Sequence, residues 1–253
     1  MRTGQWTLQS GKRLKRTVKK DRWKDKMKQK TGTELEQGRG QREEERNEYG
    51  KIYFVMGKSA SGKDTIYKKL LERIPELKTI IPYTTRPMRE GEKEGAEYHF
   101  TDEASLQEMW EMGKVIEKRT YHTMYGPWSY ATVDDGQIDL REGNILMIGT
   151  LESYQSIRSY FGRENTVPLY IEVEDGERLE RALNREKQQK CPRYAELCRR
   201  FLADEEDFSE EKLAEAGITA QDRYENRELE KCLDDLAQRI TGFPFYSRFP
   251  QKG

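Results

Sequence analysis

The sequence predicts an α/β protein in which helices cover both faces of a parallel central sheet. Apolar runs of strand length alternate with segments whose apolar residues recur at helical spacing, and this alternation is typical of parallel strands joined by helices. The apolar run at 52–56 leads directly into a glycine-rich turn and then into a helical segment. The stretch 50–242 is long enough to bury one hydrophobic core.

Apolar spacing and helix-breaking residues set the predicted bounds of each element. A helix is predicted over 63–74, with Ile66, Leu70 and Leu71 on one face and Pro75 at its end. The strands predicted in the folded part are 52–56, 79–81, 145–148 and 167–173. The later helices are predicted over 175–189, 194–208 and 229–240.

Charge divides the chain into a basic N-terminal segment and an acidic body. Lys and Arg together number 46, as do Asp and Glu, yet residues 11–30 hold eleven basic residues and two acidic ones. This shift in composition predicts a boundary near Tyr49. The predicted organisation is a charged extension over 1–49, a folded domain over 50–242 and a tail over 243–253.

The basic segment allows two interpretations. Together with Trp6 and Trp23 it could contact nucleic acid or an anionic membrane, or it is a disordered extension with too few apolar residues to fold. No apolar run approaches the roughly 20 residues of a membrane helix, and the N-terminus lacks the apolar centre of a secretory signal. Three cysteines without metal-ligand spacing predict reduced thiols. We therefore expect a soluble, cytoplasmic protein.

Residues 57–65 form a phosphate-binding motif. Gly57 and Gly62, five residues apart, let the backbone wrap so that its N–H groups point at phosphate oxygens. The following helix N-terminus and the Lys63 ammonium add positive charge. Since a buried strand precedes this turn and a helix follows it, we interpret it as a P-loop. The residues expected to bind the nucleotide are Gly57, Ser59, Ala60, Ser61, Gly62, Lys63, Asp64 and Thr65.

Asp64 stands where the P-loop pattern has Ser or Thr, and Thr65 follows one position later. A carboxylate in the first turn complements the helix dipole, which explains Asp64 without a metal. Alternatively, Asp64 replaces the hydroxyl that normally contacts Mg²⁺, which makes it a candidate metal ligand.

The segment 84–92 reads Thr-Thr-Arg-Pro-Met-Arg-Glu-Gly-Glu, and a Gly-x-x-Tyr-x-Phe segment follows it. Two arginines three residues apart can bind a phosphate through forked donors, and a tyrosine hydroxyl can complete the pocket. This motif, at this distance from the P-loop, resembles the guanylate kinase family. The resemblance implies that Arg86, Arg89 and Tyr98 bind the GMP phosphate.

The resemblance continues with Ile-Glu at 116–117 and Tyr-Gly at 125–126. It implies that Glu117 accepts hydrogen bonds from guanine N1–H and the exocyclic amine, and that Tyr125 contacts the acceptor phosphate. A carboxylate suits this edge of guanine because it offers two acceptors side by side. Taken alone, Glu117 would be interpreted as a strand residue paired with Lys118 or Arg119.

The region 177–208 resembles the helical lid of the family, whose arginines close over ATP and stabilise charge on the transferred phosphoryl group. The alternative is that these arginines pair with glutamates at i,i+4 spacing. The residues expected to act in catalysis are Lys63, Arg181, Arg185 and Arg200. The resemblance spans about 51–241. It implies a P-loop NTPase fold with three α/β/α layers, a small mixed-β acceptor-binding subdomain at about 82–130 and a helical lid.

Besides Asp64, four residues depart from the family pattern. Pro82 and Pro127 replace side chains that help to hold guanine, and proline offers no donor. Met147 and Gly149 stand where the family has an Asp-x-Asp segment that handles the acceptor and the metal. Guanine selectivity is therefore expected to depend mainly on Glu117.

Together with the P-loop, the resemblance implies a nucleoside monophosphate kinase of purine nucleotide metabolism, which uses ATP and Mg²⁺ to phosphorylate GMP or dGMP. Two alternatives stay open. One is a related kinase for another phosphorylated acceptor, which the two prolines suggest. The other is a non-catalytic guanylate kinase-like module that binds proteins. Because the P-loop glycines, its lysine and the lid arginines are all present, the sequence favours a kinase whose partners are small nucleotides.

Overall fold

A computed structural model describes residues 49–123 and 126–243. The strands are β1 (Ile52–Met56), β2 (Tyr83–Thr84), β3 (His99–Phe100), β4 (Val115–Thr123), β5 (Gly126–Val133), β6 (Ile145–Ile148), β7 (Thr166–Glu172) and β8 (Arg223–Glu225). The α-helices are α1 (Lys63–Arg73), α2 (Glu103–Glu111), α3 (Leu151–Phe161), α4 (Asp175–Lys187), α5 (Tyr194–Asp207), α6 (Glu210–Glu215) and α7 (Leu229–Thr241). The described residues form two compact units, one of residues 49–80, 139–158 and 163–243, the other of residues 81–138 and 159–162.

The larger unit is built on a four-stranded parallel sheet in the order β6–β1–β7–β8. All five residues of β1 are buried, as expected for a central parallel strand covered on both faces. Phe54 contacts Tyr154 of α3, with ring centroids 5.7 Å apart. Tyr53 and Val55 point the other way, into a core that includes residues of α1 and α7. The predicted α/β class with a parallel central sheet is confirmed.

Helical spacing explains how α1 and α7 cover this face of the sheet. Ile66 and Leu70 of α1 are fully buried, and so are Leu233 and Leu236 of α7. These side chains recur at i, i+3 and i+4, so each helix presents one continuous apolar stripe to the strands. Burial of such side chains stabilises the fold by about 1.5–3 kcal/mol each.

Most of the predicted elements are present, and several bounds coincide. β1 and β6 have the predicted limits. The predicted C-terminal ends of the four helices lie within two residues of the observed ends of α1, α4, α5 and α7. The strand predicted over 79–81 is wrong. Lys78 makes a single parallel bridge with Ile145, while the backbone N–H of Ile81 donates to the Gln137 side chain (2.6 Å), and Pro82 has no N–H. Strand pairing therefore begins only at β2.

The smaller unit is a mixed four-stranded sheet in the order β3–β2–β5–β4. β2 is parallel to β3 and antiparallel to β5, and β5 is antiparallel to β4. The helix α2 packs on one face, where Leu106 is buried with Val115, Ala131 and Val133. Asp102 caps this helix by accepting a hydrogen bond from the N–H of Ser105 (2.7 Å).

A β-bulge in β4 changes which face its side chains occupy. Val115 lies opposite Val133, but Glu117 lies opposite Thr132, so Ile116 is an extra residue on this strand. Without the bulge, Val115 and Glu117 would share one face, since side chains alternate along a strand. The bulge therefore places Glu117 on the face opposite the α2 core.

Within residues 49–123 and 126–243, no helix combines the length and the apolar composition needed to cross a membrane. The extension over 1–48 and the tail from 244 onward lie outside the described residues.

Candidate functional site

The phosphate-binding motif is a tight turn between β1 and α1. Ala60 and Gly62 both have left-handed backbone conformations, with φ of 63° and 87°. Such a conformation is uncommon for alanine and costs free energy that the surrounding structure must offset. The turn closes on itself through a hydrogen bond from the N–H of Ser61 to the carbonyl of Lys58 (3.2 Å). The backbone thus forms a concave turn at the start of α1, as an anion-binding loop requires.

Both glycines of the motif are required by close contacts. A Cβ on Gly57 would lie 2.6 Å from the carbonyl oxygen of Ile171, and a Cβ on Gly62 would lie 2.4 Å from the amide nitrogen of Asn226. That amide donates a hydrogen bond to the carbonyl of Ser61 (2.8 Å), and Asn226 is itself buried. Asn226 therefore supports the loop from beneath, a role that the sequence did not indicate.

Lys63 and Asp64 begin α1 next to this turn. The Lys63 ammonium lies 3.7 Å from the Asp64 carboxylate, whose side chain is largely exposed. Thr65 is exposed too. Among residues 49–123 and 126–243, no group of three or more His, Cys, Asp and Glu side chains is arranged to hold a metal ion. Mg²⁺ in kinases needs only one or two carboxylates besides the substrate phosphates, so the exposed Asp64 carboxylate fits that requirement.

A buried arginine in α4 organises the contacts between the loop and the α4–α5 region. Arg178 is 1% exposed and forms ion pairs with Asp175 (2.9 Å), Asp204 (3.2 Å) and Glu205. Its guanidinium also stacks over the Phe201 ring, 4.1 Å from the centroid. Arg178 is not among the residues predicted from the sequence, although its spacing of three residues from Asp175 and the acidic run at 204–207 both indicate ion pairing.

The same acidic residues contact the loop directly. Asp204 accepts a hydrogen bond from the backbone N–H of Ser59 (2.8 Å), and Glu205 accepts one from the Lys58 ammonium (2.7 Å). Because Arg178 holds both carboxylates, this cluster joins the first half of the loop to α5.

Two of the three predicted lid arginines lie at the loop. Arg185 and Arg200 line a small cavity together with Ser59. Arg181 instead pairs with Glu177 at i,i+4 spacing and donates to the carbonyl oxygen of Asn226 (2.9 Å). For Arg181, the observed contacts are thus the helix-face pairing that was the alternative interpretation.

In the smaller unit, Arg86 is fixed by a glutamate six residues away. The Arg86 side chain is 4% exposed and forms a two-pronged hydrogen bond with Glu92 (2.7 and 2.5 Å). This contact raises the pKa of Arg86. It also lowers the pKa of Glu92 to about 2, with a further contribution from the Arg89 N–H, which donates to the same carboxylate (2.8 Å).

Aromatic rings surround the Arg86 guanidinium. It lies 5.0 Å from the ring centroid of Tyr98 and 5.5 Å from that of Phe100. Tyr98 and Tyr130 meet edge to face, 5.7 Å apart. The structure therefore brings the predicted residues Arg86 and Tyr98 together, while the predicted Arg89 side chain is exposed nearby in sequence.

Glu117 is a half-buried acid with specific partners. One carboxylate oxygen accepts a hydrogen bond from the Thr132 hydroxyl (3.1 Å), and the other lies 3.2 Å from the Arg119 Nε. Its side chain is 10% exposed, so it is less exposed than a surface strand residue would be. The predicted phosphate contact Tyr125 lies outside the described residues.

Comparisons with known proteins point to one family. The family model of guanylate kinase matches residues 49–215. A guanylate kinase of Methylobacillus flagellatus is 28% identical over 188 residues, covering 74% of this chain and 86% of that protein. One of Chromobacterium violaceum is 28% identical over 200 residues, covering 77% of this chain and 89% of the relative.

The fold has a solved counterpart. The crystal structure of guanylate kinase from Anaplasma phagocytophilum superposes with a TM-score of 0.52 at 16% identity, over 79% of this chain and 89% of that one. At this identity the likeness concerns the fold alone. The family match, in contrast, covers the loop, the Thr-Thr-Arg segment and the lid arginines. The chain belongs to the guanylate kinase family.

Proposed function

We propose that this protein transfers the γ-phosphoryl group of ATP to GMP. The family phosphorylates GMP, and the choice of ATP as the donor is our inference. The observation that carries this proposal is the loop at 57–63, which combines left-handed backbone at Ala60 and Gly62 with Lys63 at the start of α1. This arrangement suits the polyphosphate of a nucleoside triphosphate.

The donor phosphates would be bound by Lys63 and by loop N–H groups other than those of Ser59 and Ser61, which donate to Asp204 and to the Lys58 carbonyl. Arg185 and Arg200, which line a cavity with Ser59, would stabilise the negative charge that develops during transfer. Positioning and charge stabilisation supply most of the catalysis in phosphoryl transfer, so no nucleophilic side chain is needed. Asp64 would hold Mg²⁺, which when bound would neutralise part of the charge on the ATP phosphates.

The acceptor would bind to the sheet of residues 81–138. Arg86, Arg89 and Tyr98 supply donors for a phosphate, and Glu117 offers carboxylate oxygens to the N1–H and amino group of guanine. Glu92 fixes the Arg86 guanidinium before any ligand binds, and this reduces the conformational entropy lost on binding.

The test is a coupled assay with ATP and a panel of GMP, dGMP, AMP, CMP and UMP. We expect GMP to be the preferred acceptor, because adenine would present its N1 acceptor to the Glu117 carboxylate and leave a buried polar group unpaired. Glu117→Gln should lower kcat/KM for GMP about 10- to 100-fold while the KM for ATP stays unchanged. Glu108→Gln, at an exposed position of α2, is the matched control.

Equal turnover of all five monophosphates would refute the guanine assignment and favour a kinase for another acceptor. The absence of turnover with any of them would favour the protein-binding alternative.

We also expect the reaction to take place in the cytoplasm. Cys191, Cys198 and Cys232 are all free thiols, as in a reducing compartment.

A further inference from the structure

We propose that Arg119 reads the O6 and N7 acceptors of guanine and so replaces the donors that Pro82 and Pro127 lack. This inference rests on the proposed function, since it assigns a specificity-determining residue to the same acceptor site. A lone carboxylate accounts for only one edge of the base, and Arg119 lies beside that carboxylate.

Strand geometry places Arg119 and Glu117 on one face of β4. The two residues are separated by one position after the bulge, so their side chains point the same way. Their register partners on β5, Tyr130 and Thr132, also alternate onto that face. The Arg119 Nε lies 3.2 Å from the Glu117 carboxylate, and the Arg119 side chain is about a quarter exposed.

The chemistry of the pair matches two adjoining edges of guanine. Guanine offers N1–H and its exocyclic amine to an acceptor such as Glu117, and the neighbouring O6 and N7 are both acceptors. Arginine can bind O6 and N7 together through its forked donors, as it commonly does with guanine in the major groove of DNA. A guanidinium has five N–H donors, so it can contact Glu117 and a base edge at the same time.

The same pair would reject adenine twice. Adenine places an acceptor, N1, against the Glu117 carboxylate and an amino donor where O6 would face Arg119. Each mismatch leaves polar groups without partners, and a site built on such hydrogen bonds discriminates strongly.

The face that carries Arg119 continues to the residues proposed to bind the acceptor phosphate. Arg119 lies directly opposite Tyr130 in the sheet. Tyr130 packs edge to face on Tyr98, and the Tyr98 ring centroid lies 5.0 Å from the Arg86 guanidinium. The groups proposed to bind the base and those proposed to bind the phosphate thus follow one another across a single sheet. A nucleoside monophosphate, which carries both a base and a phosphate, requires such an arrangement.

The experiment compares GMP with two analogues, 7-deaza-GMP, which lacks the N7 acceptor, and IMP, which lacks the exocyclic amine. Wild type should use 7-deaza-GMP about tenfold less efficiently than GMP, as measured by kcat/KM. Arg119→Ala should lower kcat/KM for GMP roughly 10- to 100-fold and bring GMP and 7-deaza-GMP to nearly equal values. The ratio of GMP to IMP, which reports on Glu117, should change little.

Two further variants separate base reading from structural effects. Arg119→Lys keeps the positive charge but lacks the forked N–H donors of the guanidinium. Compared with Arg119→Ala, it should therefore regain part of the GMP activity and part of the discrimination against 7-deaza-GMP. Lys118→Ala alters the residue just before Arg119 in β4. The Lys118 side chain points to the opposite face of the sheet and pairs with Glu103 of α2. This variant should leave both analogue ratios as in wild type.

Full discrimination against 7-deaza-GMP in Arg119→Ala would overturn the inference, as would a change confined to the GMP-to-IMP ratio. If Arg119→Ala does not fold, the Arg119→Lys ratios decide. If the wild-type protein turns over no GMP, calorimetry would measure the binding of GMP and 7-deaza-GMP to wild type and to the Arg119 variants. Binding with the expected Arg119-dependent difference would refute only the proposed activity, and no binding of GMP would refute both.

Discussion

The loop at 57–63 and the sheet of residues 81–138 present their polar groups in different ways. The loop presents mainly backbone, held in shape by Ala60, Gly62 and the supporting amide of Asn226. The sheet presents side chains, with Arg86 and Glu117 each fixed by a neighbour.

This difference explains where the chain departs from its family. A backbone site tolerates a change of side chain, so Asp64 can stand in the position of a hydroxyl without altering the loop. A side-chain site loses a donor with each substitution, so Pro82 and Pro127 must be compensated by another residue or by another ligand. If the acceptor binds as proposed, we expect the sheet of residues 81–138 to decide the substrate preference of this protein.

The largest expected effect concerns Lys63, whose ammonium adds a full positive charge to the loop. Lys63→Ala should lower kcat about 100- to 1,000-fold, because it removes the full positive charge next to the donor phosphates. The thermal unfolding curve should stay close to that of wild type. Lys68→Ala, at an exposed position of the same helix, is the control. Near-normal turnover in Lys63→Ala would refute the interpretation of this segment as the P-loop of a kinase.

The second effect tests whether the loop also depends on the buried charge cluster. Arg178→Met leaves Asp175, Asp204 and Glu205 without their shared cation, so the free energy of unfolding should fall by on the order of 3 kcal/mol. The expected decrease in Tm is about 6–12 °C. Arg199→Met, which breaks an exposed i,i+3 pair with Glu196, should cost less than about 1 kcal/mol. Equal Tm values for the two variants would contradict the role of the cluster.

The smallest expected effect concerns the sheet of residues 81–138 and depends on pH. Since Arg86 lowers the pKa of Glu92 to about 2, ionised Glu92 stabilises the fold above about pH 4.5, and this contribution declines as the pH falls toward 2. The difference in free energy of unfolding between wild type and Glu92→Gln should therefore be larger at pH 6 than at pH 3. Urea unfolding at both pH values measures it, with Glu108→Gln as the control for loss of charge. A difference that grows at pH 3 would have the wrong sign.

Local sequence rules determined much of the fold. Continuous apolar runs located β1 and β6 with their observed bounds, and helical spacing located α1, α4, α5 and α7. The two glycines and Lys63 identified the loop because phosphate binding by backbone requires residues of these types at this spacing. The strand expected at 79–81 failed because apolar content alone does not show that Ile81 donates its N–H to a side chain.

Only the tertiary structure decided which charged residues act together. In the sequence, Arg178 is one arginine among several in a charged helix, and its partners Asp204 and Glu205 come to it from another helix. The bulge at Ile116 could not be predicted from the sequence either. Strand periodicity alone would place Glu117 on the same face as buried Val115, and pairing with β5 turns it to the opposite face, beside Arg119. Composition and spacing fix local conformation, whereas the face a side chain occupies depends on the partner strand, which the local sequence does not contain.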